Sequence, residues 1–365
     1  MRVLFICVAA FVWLVTAGDL RADWPLFRGN ALQNGNASEP LPDPLHVRWK
    51  IQLKDSIEAT AAIVKDTVYC GSFDQYLYAF NLSDGTEKWK YKGGPFKAPT
   101  SVFEGAVYVG DEDGMFHCVD AATGQKRWTF ETGGEITSGA NFAEDKVIFG
   151  SHDSTLYCLN RKDGTEAWKF KTQGPVNGSP VIAGGYTFVA GCDSNLHIVD
   201  LKSGKELVQI DLDGQAAATA AVLGEKLYVG TMTNEFKAID LQKKSVFWTY
   251  PPKRAQPFYG SAAVTDKLVI VGNRDKYIHA LHRDQGSIAW MFATKGRVDS
   301  SPVVAGGRVY VGSSDGSLYV IDPAKGTQVQ KLDLGRGVVA SPAVSQGSLV
   351  IGTTDGILYC LGKKE

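Results

Sequence analysis

Eight positions of this 365-residue chain recur about every forty residues and include side chains able to bind a ligand. The eight residues are Glu58, Lys97, Thr137, Asn177, Ala217, Tyr259, Asp299 and Val339. Glu58, Asn177 and Asp299 offer oxygen atoms of the kind that Ca²⁺ takes as ligands. Lys97 could pair with the carboxylates of a polyanion, as could two neighbours of these positions, Arg297 and Arg336. The set predicts a ligand site if the fold brings the positions together, and the alternative is a ring of polar loops at a solvated surface.

Other chemistry finds little support in the residue spacing. The chain has no adjacent cysteines and no C-x-x-C-H haem motif, and no Ser-His-Asp arrangement or glycine-rich phosphate loop can be argued. Three histidines share one repeat position, where other repeats have tyrosine, and are expected to lie too far apart to share a metal: His117, His197 and His279. Three cysteines share another position, where other repeats have alanine, isoleucine or valine: Cys118, Cys158 and Cys360. We therefore predict small buried side chains at the cysteine positions and no catalytic residues.

The elements that must position these residues form a repeat, which is clearest at Val107–Trp128. Two short apolar strands flank a turn at Asp113-Gly114, a second turn follows at Thr123-Gly124, and Trp128 comes four residues later. A strand-ending glycine marks each unit at Gly71, Gly110, Gly150, Gly191, Gly230, Gly272, Gly312 and Gly352. Matching tryptophans are Trp89, Trp128, Trp168, Trp248 and Trp290, whereas two units have Val208 and Gln330 instead. A period of this size predicts a repeat architecture.

The repeats predict an all-β, eight-bladed β-propeller of four-stranded antiparallel blades. Period-two alternation and turn-forming Asp-Gly pairs indicate strands joined by hairpins. The eighth unit ends after its third strand, while His46–Leu53 is a strand without a unit of its own and carries Trp49 at the expected place. Giving this N-terminal strand to the last blade closes the ring and removes its exposed edges.

The start of the chain predicts export. Val3–Ala17 is an apolar run after Arg2, too short to span a bilayer comfortably but suited to a signal peptide. We predict a signal peptide at residues 1–22, an irregular lead-in at 23–44 running over the surface with Trp24 and Phe27 in a crevice, and a propeller at 45–365. An uncleaved N-terminal anchor is the alternative. The formal net charge of −1 gives no electrostatic case for nucleic acid or an anionic membrane.

One insertion is the best candidate for contact with a partner. The segment Tyr250–Tyr259 is longer than its counterparts, is stiffened by prolines and carries Lys253, Arg254, Phe258 and Tyr259. Arginine and aromatic residues are enriched at interface hot spots. The alternative is a longer turn that covers the mouth of the channel.

The segment Cys118–Trp128 resembles the docking motif A-x-D-x-x-T-G-x-x-x-W of the PQQ-repeat, quinoprotein-like propellers. Three further segments resemble it more loosely: Ala79–Trp89, Cys158–Trp168 and Ala280–Trp290. The resemblance agrees with a docking role between blades for Trp49, Trp89, Trp128, Trp168, Trp248 and Trp290, each ring buried and its indole N–H bonded to a carbonyl.

Within this family, chain length and an exported start resemble the BamB-like members. That resemblance implies a soluble, non-catalytic scaffold in the periplasm or envelope of a Gram-negative-type bacterium, which binds a protein partner and needs no cofactor; we expect a monomer. The alternative branch of PQQ-dependent dehydrogenases implies PQQ near Lys97, Arg297 and Arg336, with Ca²⁺ near Glu58, Asn177 and Asp299. That branch has a vicinal cysteine pair, which this chain lacks. Binding of a glycan or other ligand is a third possibility.

Overall fold

Each forty-residue repeat folds into one blade, because its short apolar runs are separated by turn-forming residues. The computed structural model describes residues 23–364, so the predicted signal peptide lies outside the described residues. Eight four-stranded antiparallel sheets are formed, and the prediction of an eight-bladed β-propeller is confirmed. Among residues 23–364, no helix is long and apolar enough to cross a membrane.

The strands follow one another in regular order. A 3-10 helix, Phe27–Gly29, comes first, and β1 spans His46–Gln52. Blades 1 and 2 comprise β2 (Ala62–Val64), β3 (Thr67–Gly71), β4 (Tyr76–Asn81), β5 (Glu87–Lys92), β6 (Ser101–Phe103), β7 (Ala106–Gly110), β8 (Met115–Asp120) and β9 (Lys126–Glu131). Blades 3 and 4 comprise β10 (Asn141–Ala143), β11 (Lys146–Ser151), β12 (Thr155–Asn160), β13 (Glu166–Lys171), β14 (Val181–Ala183), β15 (Tyr186–Ala190), β16 (Asn195–Asp200) and β17 (Glu206–Asp211).

The second half repeats the pattern. Blades 5 and 6 comprise β18 (Ala221–Leu223), β19 (Lys226–Gly230), β20 (Phe236–Asp240), β21 (Ser245–Tyr250), β22 (Ala263–Val264), β23 (Leu268–Gly272), β24 (Tyr277–His282) and β25 (Ile288–Ala293). Blade 7 comprises β26 (Val303–Ala305), β27 (Arg308–Gly312), β28 (Ser317–Asp322) and β29 (Thr327–Asp333). Blade 8 comprises β30 (Ala343–Ser345), β31 (Ser348–Gly352) and β32 (Ile357–Gly362), completed by β1.

The N-terminal strand closes the ring, as predicted. β1 pairs antiparallel with β32, and Trp49 lies opposite Cys360. Gln330 of blade 7, which stands where most blades have tryptophan, holds the chain just before β1. Its side-chain amide accepts a hydrogen bond from the Leu45 N–H (2.9 Å) and donates one to the Leu45 carbonyl (2.8 Å). Gln330, which replaces the usual tryptophan, thus helps to hold the closing strand in place.

The strand-ending glycines allow neighbouring blades to approach closely. Each of seven glycines lies under a buried apolar residue of the following blade, and a Cβ atom on the glycine would lie 2.1–2.5 Å from that side chain. The pairs are Gly71–Phe96, Gly110–Ile136, Gly150–Val176, Gly230–Phe258, Gly272–Val298, Gly312–Val338 and Gly352–Ile57. Because real Cβ contacts are never this short, any larger residue would push the blades apart.

Hydroxyl groups at the start of the innermost strands link consecutive blades around the channel. The Ser261 N–H donates to the Ser301 hydroxyl (2.9 Å), and the Ser301 N–H donates to the Ser341 hydroxyl (3.0 Å). The Ser341 N–H continues the series to the Thr60 hydroxyl (3.3 Å). Small polar residues at this position satisfy backbone groups that would otherwise be buried without a partner.

The lead-in follows the innermost strands around the channel, below the mouth, instead of running over the outer surface. Its backbone hydrogen-bonds to blades 1, 2, 4, 5, 6 and 7 in chain order: Trp24 with Ile63, Pro25 with Val102, Ala31 with Ile182, Leu32 with Val222, Asn34 with Val264, and Gly35 with Val304. Blade 3 is reached through the Asn141 side chain, which donates to the Ala31 carbonyl. Trp24 and Phe27 are buried, as expected. The expectation that the lead-in runs over the surface was therefore wrong. An irregular sequence rich in proline and glycine does not reveal the path of the backbone.

Arg28 anchors the lead-in. Its guanidinium is buried and donates hydrogen bonds to the carbonyls of Ser301 (3.1 Å) and Pro302. Burial lowers the pKa of Arg28 to about 9. The guanidinium therefore remains charged at neutral pH, and the two carbonyls offset part of the cost of burying it.

Candidate functional site

All eight ring positions predicted from spacing line one cavity of about 520 Å³ at the mouth of the channel. The loops that connect the outermost strand of one blade to the innermost strand of the next place one position each. Phe27 of the lead-in also lines the cavity. The eight registered positions thus share one cavity, and their role as ligand-binding residues remains a prediction.

Asp299 is held by two arginines at the mouth. Its carboxylate accepts two hydrogen bonds from Arg274, from Nε at 2.8 Å and from Nη2 at 3.0 Å. The Nε of Arg297 lies 3.1 Å from Asp299 Oδ2. These hydrogen bonds raise the pKa of Arg274, whose guanidinium also lies 3.6 Å from the centre of the Tyr259 ring. Both carboxylate oxygens of Asp299 are thus engaged by cations.

The other two predicted oxygen ligands do not join Asp299 in a metal site. Asn177 donates from Nδ2 to the Cys192 sulphur (3.2 Å), and its Oδ1 is buried without a hydrogen-bond partner. Glu58 lies on blade 1, with the Ser56 hydroxyl at 3.5 Å. Within the described range, no three or more His, Cys, Asp or Glu side chains are grouped to hold a metal ion. The residues at the mouth therefore do not fit a Ca²⁺ ion.

The predicted cations are similarly dispersed. The Lys97 ammonium lies 3.9 Å from Glu112, and burial raises the pKa of that carboxyl. Arg297 is paired with Asp299, as described above. Arg336 is exposed and does not line the cavity. The three cations do not converge on one anion, so the residues present do not form a cradle for PQQ.

Sequence reasoning missed Arg274 and His152, which both line the cavity. Each is the second residue after a strand-ending glycine, Gly272 and Gly150 respectively. His152 Nε2 lies 3.1 Å from the Thr137 hydroxyl, and His152 Nδ1 lies 3.3 Å from Glu135. Registering the position two residues after each glycine would have identified both residues, together with Thr354, which also lines the cavity.

The three histidines at one repeat position each contact an aspartate of their own blade. His117 lies 2.7 Å from Asp111, His197 lies 2.8 Å from Asp193, and His279 lies 3.1 Å from Asp275. In three other blades a tyrosine hydroxyl donates to the aspartate equivalent to Asp193 and Asp275: Tyr78 to Asp74, Tyr157 to Asp153 and Tyr319 to Asp315, at 2.7–2.9 Å. Because tyrosine replaces histidine at this contact, the interaction stabilises a turn in these five blades. His117 contacts a different aspartate, since Asp111 lies two residues before the equivalent position, Asp113.

The cysteines are free thiols in the described structure. Four of them are buried, and only Cys192 is partly exposed. Burial raises the pKa of Cys70 and Cys158 to about 12, and that of Cys118 and Cys360 to about 11. Thiols of this kind are unreactive at neutral pH, because the thiolate is the nucleophile.

The loop at Tyr250–Tyr259 is exposed in its middle and anchored at both ends. The Tyr250 hydroxyl lies 3.0 Å from His279 Nδ1, and Tyr259 lies under Arg274. Lys253 and Arg254 are exposed, and the Arg254 guanidinium lies 5.6 Å from the centre of the Tyr277 ring.

The selection of Phe258 for partner contact was wrong, because its side chain is fully buried. Phe258 packs on Gly230 and against the rings of Phe236 and His279. It is the blade 6 member of the apolar series that covers the strand-ending glycines. Its place immediately before Tyr259 in the repeat register was the signal that could have identified it.

Six tryptophans dock between neighbouring blades. In each case the indole N–H donates to a backbone carbonyl of the next blade, at 2.7–3.0 Å. The pairs are Trp49–Leu82, Trp89–Ala121, Trp128–Arg161, Trp168–Leu201, Trp248–Arg283 and Trp290–Pro323. These rings are part of the framework and do not line the mouth.

Comparison with known proteins points to one family and two kinds of fold relative. The family model described as outer membrane protein assembly factor BamB matches residues 112–253 and 235–364. Among curated proteins, the quinohemoprotein alcohol dehydrogenase ADH-IIG of Pseudomonas putida is 31% identical over 96 residues, which are 23% of this chain and 13% of that protein. The match thus spans only a small part of that enzyme.

Among solved structures, BamB from Moraxella catarrhalis superposes with a TM-score of 0.75 at 18% identity, over 87% of this chain and all of that one. A europium-containing methanol dehydrogenase superposes with a TM-score of 0.77 at 12% identity, over 94% of this chain and 98% of that one. The quinohemoprotein alcohol dehydrogenase from Comamonas testosteroni gives 0.77 at 14% identity, over 94% and 81%. These similarities show the propeller fold.

Proposed function

We propose that this chain, which belongs to the family of the outer membrane protein assembly factor BamB, is an exported, non-catalytic β-propeller that binds a protein partner in the cell envelope. The proposal assigns residues 1–22 to a signal peptide, 23–44 to the lead-in and 45–365 to the propeller. The periplasm is the compartment that this family membership favours. No residue is assigned a catalytic role.

The exposed loop beside the mouth is the observation that carries the proposal. Its ends are fixed by the Tyr250 contact with His279 and by burial of Phe258, while Lys253 and Arg254 remain exposed between them. A loop held in one conformation loses little entropy when it binds. Exposed cationic side chains on such a loop suit an acidic surface on a protein partner.

The ion pairs at the mouth also support a non-catalytic function. Asp299, Arg274 and Arg297 form one ion-pair group with a net positive charge, in which both carboxylate oxygens of Asp299 are engaged. An enzyme site usually holds titratable groups whose pKa values suit proton transfer, and a fully paired carboxylate is poorly suited to that role. A quinoprotein-type oxidoreductase or ligand sensor is the alternative, which titration of the mature chain with PQQ and Ca²⁺ would test.

The test is site-specific photocrosslinking in intact cells that export the full chain. A photoreactive phenylalanine analogue placed at Lys253 is expected to crosslink an envelope protein, and the same analogue at Lys202, exposed on the turn between β16 and β17, serves as the control. The charge reversal K253E/R254E should abolish the crosslink from a probe at Gln256, whereas K162E/K202E should preserve it. Equal crosslinking in both variants, or crosslinks at Lys202 alone, would exclude this loop as the binding surface.

A further inference from the structure

The six docked tryptophans share a second feature besides the indole hydrogen bond. Each ring covers a glycine of the next blade, and a Cβ atom on that glycine would lie 2.6–2.9 Å from the ring. The glycines all have positive φ and are Gly85, Gly124, Gly164, Gly204, Gly286 and Gly326. An inter-blade site of this fold therefore consists of an indole, a glycine beneath it and a carbonyl acceptor.

The site between blades 4 and 5 has lost both the indole and the glycine. Val208 stands where Trp168 stands one blade earlier, and Lys244, with φ of 55°, stands where Gly204 stands. The carbonyl acceptor remains, since Leu241 occupies the position of Leu201. Within residues 23–364, the Leu241 carbonyl receives no hydrogen bond, whereas the Leu201 carbonyl receives one from Trp168.

Because Val208 is much smaller than a tryptophan, a groove of about 240 Å³ remains between blades 4 and 5, open to the surface. Its walls include Phe188, Ile198 and Val208, which lie side by side on three neighbouring strands of blade 4, and Leu241 of blade 5. An apolar cavity of about 150 Å³ is enough to hold benzene. This groove is therefore large enough for the two fused rings of an indole.

An exposed apolar residue lies at the rim of the groove. Leu207 lines the groove with 51% of its surface exposed. A large apolar side chain exposed at the edge of an apolar cavity indicates an interaction surface more strongly than an isolated one does.

We propose that the groove between blades 4 and 5 binds a tryptophan side chain presented by a partner polypeptide. The ring would lie against Phe188, Ile198 and Val208, with its N–H donating to the Leu241 carbonyl. It would lie farther from residue 244 than the six docked rings lie from their glycines, because Lys244 carries a Cβ atom. Lys244 lines the same groove, and an ammonium group is attracted to the face of an indole more than to other rings. The free carbonyl and the cation thus complement the edge and the face of this side chain.

A second copy of the chain is a poorer occupant than a different protein. All seven tryptophans within residues 23–364 are buried or half-buried, and six of them donate the hydrogen bonds given above. The inference rests on the proposed scaffold function only in taking the occupant to be a polypeptide. The groove is formed by blades 4 and 5, whereas the loop at Tyr250–Tyr259 enters blade 6, so each can be tested without the other.

The test uses methyl-labelled mature protein in nuclear magnetic resonance titrations with N-acetyl-L-tryptophanamide. Saturable shifts are expected at the methyl groups of Ile198, Leu207, Val208 and Leu241, with a dissociation constant in the millimolar range that suits a single side chain. N-acetyl-L-leucinamide, which lacks the rings, and a 1-methyl-tryptophan analogue, which lacks the N–H, should each bind several-fold more weakly. The pentapeptide Gly-Gly-Trp-Gly-Gly should shift the same methyl groups.

The matched variants fill the groove or leave it open. V208W/K244G rebuilds the docking site from the chain itself and should weaken binding of both probes at least tenfold. V329W adds an exposed tryptophan at the equivalent rim position of blade 7 and should change nothing. If the double variant fails to fold, L207K replaces it, because Leu207 is largely exposed.

Three results would overturn the proposal: no saturable shift in the unmodified protein, equal binding by V208W/K244G, or binding of the free amide without the pentapeptide. None of these results would alter the crosslinking at Lys253, so a failure of the groove and a failure of the scaffold function can be told apart.

Discussion

At the scale of single residues, the repeating aspartates hold turns and do not perform chemistry. Asp153 receives a hydrogen bond from the Tyr157 hydroxyl at 2.7 Å and one from the Gly133 N–H at 2.9 Å. Burial alone would raise the pKa of Asp153, but these hydrogen bonds outweigh it and hold the pKa below its usual value. The carboxylate form is therefore stabilised in the folded state.

This contact predicts a pH-dependent loss of stability in Tyr157→Phe. A carboxyl with a depressed folded pKa contributes stability above its unfolded pKa of about 3.9, and the contribution is lost as pH falls through the folded pKa. The variant should lose about 1.5–3 kcal/mol of unfolding free energy at pH 7, as expected for a hydrogen bond to a charged group. That deficit should shrink below about pH 4. Urea unfolding between pH 7 and pH 3 measures it.

Tyr228→Phe is the matched control. The Tyr228 hydroxyl is buried and has no hydrogen-bond partner among the described residues. Its removal should cost nothing at any pH in this range, because no hydrogen bond is lost. A Tyr157→Phe deficit that stayed constant from pH 7 to pH 3 would show that the hydrogen bond does not depend on the charge of Asp153.

From sequence, the position of a residue could be predicted where the repeat register defines it. Contacts between residues of different loops could not be predicted. The ring from Glu58 to Val339 was found because register alone places it. The pairing of Asp299 with Arg274 was not found, since Arg274 belongs to a different loop. Phe258 was selected for its ring, although its position in the register is that of buried residues such as Val298.

At the scale of elements, the closing strand decides whether the last blade is complete. Through β1, blade 8 gains the backbone pairing with β32 and the Trp49 indole, which packs over Gly85 of blade 1. Deleting His46–Gln52 should therefore abolish the cooperative thermal transition, because β32 becomes an exposed edge and a docked ring is lost. Circular dichroism melting curves measure this.

Point variants separate the strand's pairing from its side chains. Trp49→Ala should cost about 3–5 kcal/mol, as for other buried aromatic residues. Val47→Ser should stay within about 0.5 kcal/mol, because Val47 is 47% exposed. A deletion variant with the melting curve of the unmodified chain would refute closure by β1.

At the scale of the whole molecule, the sequence was sufficient to predict the ring of eight blades. It was insufficient to predict the path of the lead-in along the innermost strands. Blade count, strand order and closure follow from local periodicity and from the unpaired strand at either end. The path of the lead-in depends on successive hydrogen bonds to distant blades, such as Ala31 with Ile182 and Gly35 with Val304. No local pattern encodes such pairings, so an irregular segment was expected on the surface.

The fold alone leaves the choice between scaffold and oxidoreductase open, because BamB from Moraxella catarrhalis and a europium-containing methanol dehydrogenase share it. The charges at the mouth favour the proposed scaffold function. A Ca²⁺ ion would need free carboxylate oxygens, yet Asp299 is engaged by Arg274 and Arg297. Any cation there would first have to displace two guanidinium groups.

Calorimetric titration of the mature chain with PQQ, with and without Ca²⁺, tests this argument. No saturable heat is expected in either condition, because the cations at the mouth are paired or dispersed and the oxygen ligands are not grouped. A titration with Ca²⁺ alone controls for binding of the ion to surface carboxylates. Micromolar binding of PQQ that required Ca²⁺ would contradict the scaffold proposal, since it would mean that Asp299 leaves its arginines to coordinate the ion. Asp299→Asn should then abolish that binding, whereas the same change in a scaffold would leave crosslinking at Lys253 intact.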